Sequence, residues 1–356
     1  METLKFLFKS LFSNAEVATN GKKQKWWLTF VILIASILLA VAPNIVTGIK
    51  ANGGSYVTNY TNQQVNDGLT TFSSEYLHGK DAKLNLTINN GELIVGENSF
   101  DKLENRKVVK VGDKDVAYID INVGGKTIMV VSYVESSSSY DALELAIIND
   151  KKVETKDEEG NITKVTAPVV NSLFFSKKDF KLNIAALTST AEFKKDASGN
   201  YVFDGTVQHY SQFKGVYTGI STAYSDLSNI YADSISKTED NWVAFFNEAY
   251  KPLKFSSLVY STVLYLALDV MALVVMIFTT FIMSRFKNSL CEKLSVATAF
   301  KFVVFLALTP GLISFLIHFI MPGMQSIAFF TCLAIRCIFF NTKFTRGALT
   351  GEQPKK

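Results

Sequence analysis

Cysteine is nearly absent from this chain. Its three examples in 356 residues, Cys291, Cys332 and Cys337, lie in or beside the apolar C-terminal third. The polar middle has none, so no disulfide can staple it and it must rest on its own core. No Cys/His spacing of the zinc type occurs. Arginine is also scarce, with only Arg106, Arg285, Arg336 and Arg346. The other cations are lysines gathered beside apolar runs, and the net charge is only +4. Nucleic-acid binding needs basic residues on one folded face with aromatics or a known motif, and neither is present. Ser136 to Ser139 lack a G-x-S-x-G elbow and read as a solvated loop. Gly124-Gly125-Lys126 lacks phosphate-loop spacing. Asp113, Asp115 and Asp120 lack the calcium-loop pattern and read as strand and turn solvation. His78 and His209 have no Cys beside them and no acid at short helical spacing. These absences point away from an enzyme, a bound cofactor, a metal site and a nucleic-acid partner.

What the chain does have is long uncharged runs. From Trp26 to Ile49 there is no charge, and from Phe255 to Ser284 only Asp269. Further runs fill Phe302 to Ile335 and continue to Phe340. About 20 apolar residues in helix cross a bilayer core, so four spans are predicted: 26–49, 255–284, 302–321 and 324–342. The first is too long for a signal-peptide core, despite a cleavage-like Ala40-Val41-Ala42, and Trp26 and Trp27 read as interface anchors. Lys22, Lys23 and Lys25 precede it. Arg285, Lys287, Lys293 and Lys301 fall in the 285–301 loop, and Arg346, Lys355 and Lys356 in the 343–356 tail. Cytoplasmic loops carry such an excess, so both termini and that loop are expected inside, and residues 50–254 outside. The turn from Met321 through Pro322 to Ser326 is uncharged and is also placed outside. Within residues 1–25, Leu4, Leu7, Phe8 and Leu11 share a helical face opposite Lys5 and Lys9, which predicts a short amphipathic helix lying on the inner leaflet.

The polar middle reads as an α+β domain built on antiparallel sheet. Val57, Tyr60, Gln64, Val65, Phe72 and Tyr76 have helical spacing, weakened at Asn66-Asp67-Gly68. Leu84, Leu86 and Ile88 alternate up to Asn90-Gly91, and Leu93 and Val95 resume, the clearest hairpin in the sequence. A second turns at Gly124-Gly125. Two polar hairpins are expected, around Glu158 to Asn161 and Asp196 to Asn200. Helical spacing returns at Val216, Ile220, Tyr224, Leu227 and Tyr231, then at Trp242, Phe245 and Phe246. Tyr201, Phe203, Tyr210, Phe213, Tyr217 and Tyr224 could stack on sugars but read mainly as core. The sequons at Asn59, Asn85 and Asn161 have no meaning in a bacterial chain, and the Lys, Asn, Ile and Phe bias suits an AT-rich bacterial genome.

Three segments carry a resemblance. Phe6-Leu-Phe-Lys-Ser-Leu-Phe-Ser13, Asn90-Gly-Glu-Leu-Ile-Val95 and Tyr118-Ile-Asp-Ile-Asn-Val-Gly-Gly125, with packed spans at the end, resemble a family of bacterial membrane proteins of unknown function, often described as maltodextrin utilisation proteins. The resemblance implies an accessory partner of a sugar uptake system of the ATP-binding-cassette (ABC) type. It implies no catalytic residue.

Asp269 is the sharpest single residue. A carboxylate deep in a span is costly unless paired, protonated or wet. Arg336, counted from the outer turn, falls at a similar depth, so an Asp269–Arg336 pair is geometrically possible. It reads either as a structural staple or as a contact for a partner. Thr309-Pro310-Gly311 predicts a kink, with Pro310 removing a backbone donor and Gly311 adding freedom. His318, near the outer end of its span, is either an interfacial residue or a proton sensor. The expected function is a non-enzymatic accessory subunit in the lipid bilayer, touching a permease or solute-binding protein of a carbohydrate uptake complex. The alternative is a stand-alone extracytoplasmic sensor.

Overall fold

The computed structural model describes residues 2–58, 63–78, 82–160, 162–186, 189–203, 207–285, 293–321 and 323–343. Of the residues named above, Asn59, Tyr60, Asn161, Lys287, Cys291, Pro322, Arg346, Lys355 and Lys356 lie outside them. The chain forms two compact units, Ala51–Phe255 on one hand and Met1–Lys50 with Ser256–Lys356 on the other.

The Ala51–Phe255 unit is organised by period-two burial. It opens with helices α4 (Ser55–Thr58) and α5 (Gln63–Phe72), followed by a wider helical turn at Ser73–Leu77. The hairpin of β1 (Leu86–Asn89) and β2 (Glu92–Val95) then turns at Asn90 (φ 51°) and Gly91 (φ 75°). Both values lie in the left-handed region, which an Asn-Gly pair supplies at least cost. A six-stranded sheet follows, in the order β13-β9-β8-β5-β4-β3. Its strands are β3 (Lys107–Val111), β4 (Lys114–Val123), β5 (Lys126–Tyr133), β8 (Asn171–Phe175), β9 (Asp179–Ala185) and β13 (His209–Val216). Along β4, Ala117, Ile119 and Ile121 join one core while Tyr118 joins another. The first core is closed by α5 and by Trp242, Phe245 and Phe246 of the long helix α7 (Ile235–Met283). The second is closed by Tyr140, Leu143 and Ile147 of α6 (Tyr140–Asp150). Between α6 and β8 lie β6 (Val153–Lys156) and β7 (Ile162–Pro168), joined in their own small sheet by β10 (Thr190–Glu192). A short ladder of β11 (Lys194–Lys195) and β12 (Tyr201–Val202) completes the second polar hairpin.

Three expectations are corrected in this unit. The sheet is antiparallel-rich but not wholly antiparallel, because β5 and β8 pair in parallel. Such a pair needs a crossover of a dozen residues or more, and the segment carrying α6 supplies it. The spacing from Val216 to Tyr231 does not make a helix. Val216 ends β13, and the rest folds as 3-10 turns at Tyr217–Gly219, Thr222–Tyr224 and Leu227–Ile230. Asp226 caps the last of these by accepting from the Ser228 amide, a local bond that competes with helix propagation. Among the aromatics assigned to the core, Phe213 and Tyr217 are buried but Tyr210 is 62% exposed.

Among the described residues, four helices are long and apolar enough to cross a membrane: α3 (Trp26–Lys50), α7, α8 (Val296–Ile320) and α9 (Gln325–Lys343). α3 and α8 run in the same direction, since Trp26 meets Phe300, the backbone at Ser36 approaches Gly311, and Thr47 meets His318. α7 runs against α3, with Asn44 bonded to Ser261. α9 runs against α8, with Ser314 bonded to the Gln325 carbonyl and Phe302 against Phe340. The starts of α3 and α8 therefore lie at the same end of the bundle as the last residues of α7 and α9. The third span begins earlier than expected, at Val296, so Lys301 sits inside a helix rather than in a loop.

Two short helices precede the bundle. α1 (Glu2–Phe12) is helical as its amphipathic pattern predicts, and it turns Phe6 and Leu7 to the bundle rather than the whole of its apolar face. Phe6 and Ser10 are buried, while Leu4, Phe8 and Phe12 are exposed. Phe6 packs edge-on against Phe305, and the Leu11 carbonyl accepts from Thr309. After a turn at Ser13, α2 (Asn14–Asn20) returns, and Gly21 comes up against the Phe302 ring. The pair thus forms a hairpin lying along α8, its tip level with Thr309. That level is 13 residues beyond Val296, about 20 Å along the helix axis. The bundle holds this tip through the Ser10 and Leu11 carbonyls and the Asn14 side chain.

Candidate functional site

The bundle holds two polar centres, and the sequence had offered one ion pair. At the first, four of the five guanidinium donors of Arg336 are engaged. Nε donates to Asn14 Oδ1 at 2.8 Å. Nη1 donates to the Leu306 carbonyl at 2.9 Å and to Thr309 Oγ1 at 2.6 Å. Nη2 donates to the Ser10 carbonyl. Each acceptor has a reason to be there. Pro310 has no N–H, so the carbonyl of Leu306, four residues back, loses its helical partner. Ser10 lies in the last turn of α1, where carbonyls are orphaned by the end of the helix. The arginine fills both vacancies and carries positive charge to the negative end of α1.

The three residues read as a kink signal thus have separate tasks. Pro310 frees a carbonyl, and Thr309 links Arg336 to Leu11. Gly311 lets α3 come close, since a Cβ there would sit 2.7 Å from the Ser36 carbonyl oxygen. Helix α8 runs unbroken from Val296 to Ile320 through all three.

The second centre surrounds the upper part of the bundle. Asp269 is 1% exposed, and neither carboxylate oxygen has a hydrogen-bond partner among the described residues. The Ser326 hydroxyl is its polar neighbour, but the contact lacks hydrogen-bond geometry and that hydroxyl is also unsatisfied. Arg336 lies ten residues beyond Ser326 on α9, about 15 Å along the axis. The two helices are staggered, so similar counts along the two spans do not give equal level, and the Asp269–Arg336 pair that the sequence left possible is not formed. At Ser326 a groove of about 350 Å³ opens between α7 and α9, and Asp269 itself does not line it. Leu268, Met271, Ala272, Val275, Ile327 and Phe330 line it, and Ser326 is its polar wall.

His318 is buried within the bundle. Its Nδ1 lies 3.2 Å from Gln325 Oε1 and its Nε2 lies 2.8 Å from Thr47 Oγ1. An amide oxygen only accepts, so Nδ1 carries a hydrogen.

In the Ala51–Phe255 unit, Asp120 is not solvated as expected but bridges Lys107 at 2.9 Å and Lys151 at 2.5 Å. His209 meets Glu144 at 3.0 Å, and Asn183 adds a bond to the same carboxylate. His78 stacks on Tyr231. Asp113 and Asp115 line an open cleft of about 520 Å³ with Asp101 and with Glu135, which Lys114 pairs. No group of three potential metal ligands occurs among the described residues. Ser136 to Ser139 lead through a 3-10 turn into α6.

Sequence reasoning missed Ser10, Asn14, Gln325 and Ser326. Ser10 joins the site through its backbone carbonyl, which no side-chain pattern marks. Comparison with protein-family models, with curated proteins and with solved structures returned no match.

Proposed function

We propose that this chain is an integral membrane protein with four spans, α3, the part of α7 from Ser256, α8 and α9. Both termini face the cytoplasm and the Ala51–Phe255 unit lies outside. The direction of the helices supports this reading. The end of the bundle where α3 and α8 start carries Lys22, Lys23, Lys25 and Lys301, the cation excess of a cytoplasmic face. The α1–α2 hairpin then re-enters the membrane from that side. Non-spanning backbone at such depth is tolerated where protein covers it, and Arg336 and Thr309 supply that cover at the tip.

Its role is that of a non-enzymatic accessory subunit whose spans pack against a transport partner. The observation that carries this is Asp269. An acid so placed requires a partner group; among the described residues the Ser326 hydroxyl is near it but out of hydrogen-bond geometry, and an apolar groove walled by Ser326 lies between α7 and α9. The complementary partner is a transmembrane helix presenting a hydrogen-bond donor or a cation. The resemblance of the three segments supports a carbohydrate ABC uptake complex as the setting. A second reading, a stand-alone sensor, is favoured by α7, one helix of 49 residues that supplies Trp242 to one core and Ala272 to the other.

Affinity purification in mild detergent followed by mass spectrometry tests the proposal. The wild type should carry permease subunits with it, and Asp269→Lys should release them while leaving the helical content unchanged. Recovery of the wild type without membrane partners, or the same partners on Asp269→Lys, would sink it. Sidedness has its own assay: a cysteine replacing Asn90 should react with a membrane-impermeant reagent on intact cells.

A further inference from the structure

A cavity of about 610 Å³ opens between α1, α2 and the first turn of α3. Lys5 and Lys9 line it from α1, Lys23 and Lys25 from the loop before α3, and Trp27 from α3 itself. Glu16 is the one acid among its described lining residues, and a carboxylate oxygen of Glu16 already accepts from the Asn20 amide at 2.8 Å. The lining therefore carries four positive charges against one negative. None of the four lysines makes an ion pair with a carboxylate among the described residues. Lys301 shows what a committed lysine looks like nearby. Its ammonium is buried against the Lys22 and Gln24 carbonyls and lies 4.7 Å from the Trp26 ring centroid, so it holds the loop that presents Lys23 and Lys25.

We propose that this cavity binds the headgroup of an anionic phospholipid, with its phosphate held by Lys5, Lys9, Lys23 and Lys25. Lysines act as mobile point charges suited to a phosphate, and basic pockets at the cytoplasmic ends of membrane helices bind such headgroups. The positive end of α3 adds to the attraction. The helix that carries Lys5 and Lys9 also exposes Leu4, Phe8 and Phe12, which are 76%, 68% and 79% accessible. An acyl chain covers such a surface and a free phosphate ion does not, which favours the lipid as the source of the phosphate. The bound lipid would close the side of the α1–α2 hairpin that protein leaves open. The inference rests on the membrane-embedded reading given above.

The test uses the full chain purified in neutral detergent. Native mass spectrometry follows retention of phosphatidylglycerol and phosphatidylcholine of equal chain length, with inorganic phosphate added as competitor in a parallel arm. Phosphatidylglycerol should be retained in preference, phosphate should not displace it, and Lys5→Gln/Lys9→Gln should weaken it about thirtyfold, at about 1 kcal/mol per lysine near the surface. Lys23→Gln/Lys25→Gln should act alike, and Lys110→Gln, a lysine of the other unit, should change nothing. Equal retention of the two lipids, or full retention by both double variants, overturns the proposal. Displacement by phosphate overturns the lipid source in favour of a soluble anion. Extraction with alkaline carbonate separates the two failures. A chain washed off membranes refutes the embedding, whereas one that stays without lipid preference refutes only the site.

Discussion

The two units treat buried charge in opposite ways. In the Ala51–Phe255 unit both buried carboxylates are met inside the chain. Asp179 accepts from Lys214, Ser176 and Tyr140, and Glu144 faces His209 and Asn183. In the helical unit the cations are met in the same way, half-buried Arg336 by four bonds to α1, α2 and α8 and buried Lys301 by the Lys22 and Gln24 carbonyls. The buried acid there is not, since Asp269 has no hydrogen bond among the described residues. Burial of an ion without a partner costs several kcal/mol. Among the described residues Asp269 thus stands apart from the other buried charges, and the proposed partner contact rests on that contrast.

The largest effect should come from Arg336. Arg336→Met leaves the Ser10 and Leu306 carbonyls unpaired within the bundle and frees the hairpin tip. Two unsatisfied buried acceptors at about 1–3 kcal/mol each put the loss near 4 kcal/mol. Thermal unfolding in detergent measures the loss. Limited proteolysis should also show cleavage near Ser13 in the variant and none in the wild type. A variant as stable and as protected as the wild type would erase one side of the comparison.

Asp269 should move in the opposite direction. Asp269→Leu removes an unpaired carboxylate, so the isolated chain should gain about 1–3 kcal/mol. The same substitution should abolish partner recovery, which separates a reserved group from a structural one. If Asp269→Leu lowers the melting temperature of the purified chain, the acid has an internal partner and the contrast with Arg336 disappears.

These two centres also mark where the sequence could be read and where it could not. Uncharged runs gave the four long helices, because bilayer-length apolar stretches have few other uses. Asn90-Gly91 and Gly124-Gly125 gave their turns, because left-handed backbone selects those residues. Helix α6 was legible in principle, since Tyr140, Leu143 and Ile147 repeat at helical spacing, but its serine-rich approach resembled a loop. The parallel β5–β8 pair could not be read, since pairing partners are set by the tertiary crossover rather than by either strand. Asp269 and Arg336 stood out as charges in apolar runs. Their separation did not, because it depends on helix stagger. The hairpin of α1 and α2 was hidden for a related reason: an exposed apolar face next to lysines has the same pattern whether the helix lies on a lipid surface or inserts along α8.

Asp179 offers the smallest and most local test. Burial pushes its carboxyl up, but hydrogen bonds from Lys214 (2.8 Å), Ser176 (2.8 Å) and Tyr140 (3.0 Å) outweigh burial and hold it below the usual carboxylate range. A carboxyl depressed on folding stabilises the fold fully above its unfolded value of about 3.9, and the contribution fades as pH falls through the lower folded value. Hydrogen exchange of the β8 and β9 amides should therefore slow as pH is raised through this range, after correction for intrinsic exchange rates. Asp179→Asn should flatten that dependence and cost about 1.5 kcal/mol near neutrality, the size of one charge-assisted bond. The amides of α8 should be indifferent to the substitution, because Lys214, Ser176 and Tyr140 all belong to the sheet unit. A wild type whose β8–β9 protection follows the Asn variant across the acid range would show that Asp179 is not held by its three donors, and that pairing inside this unit is weaker than its geometry implies.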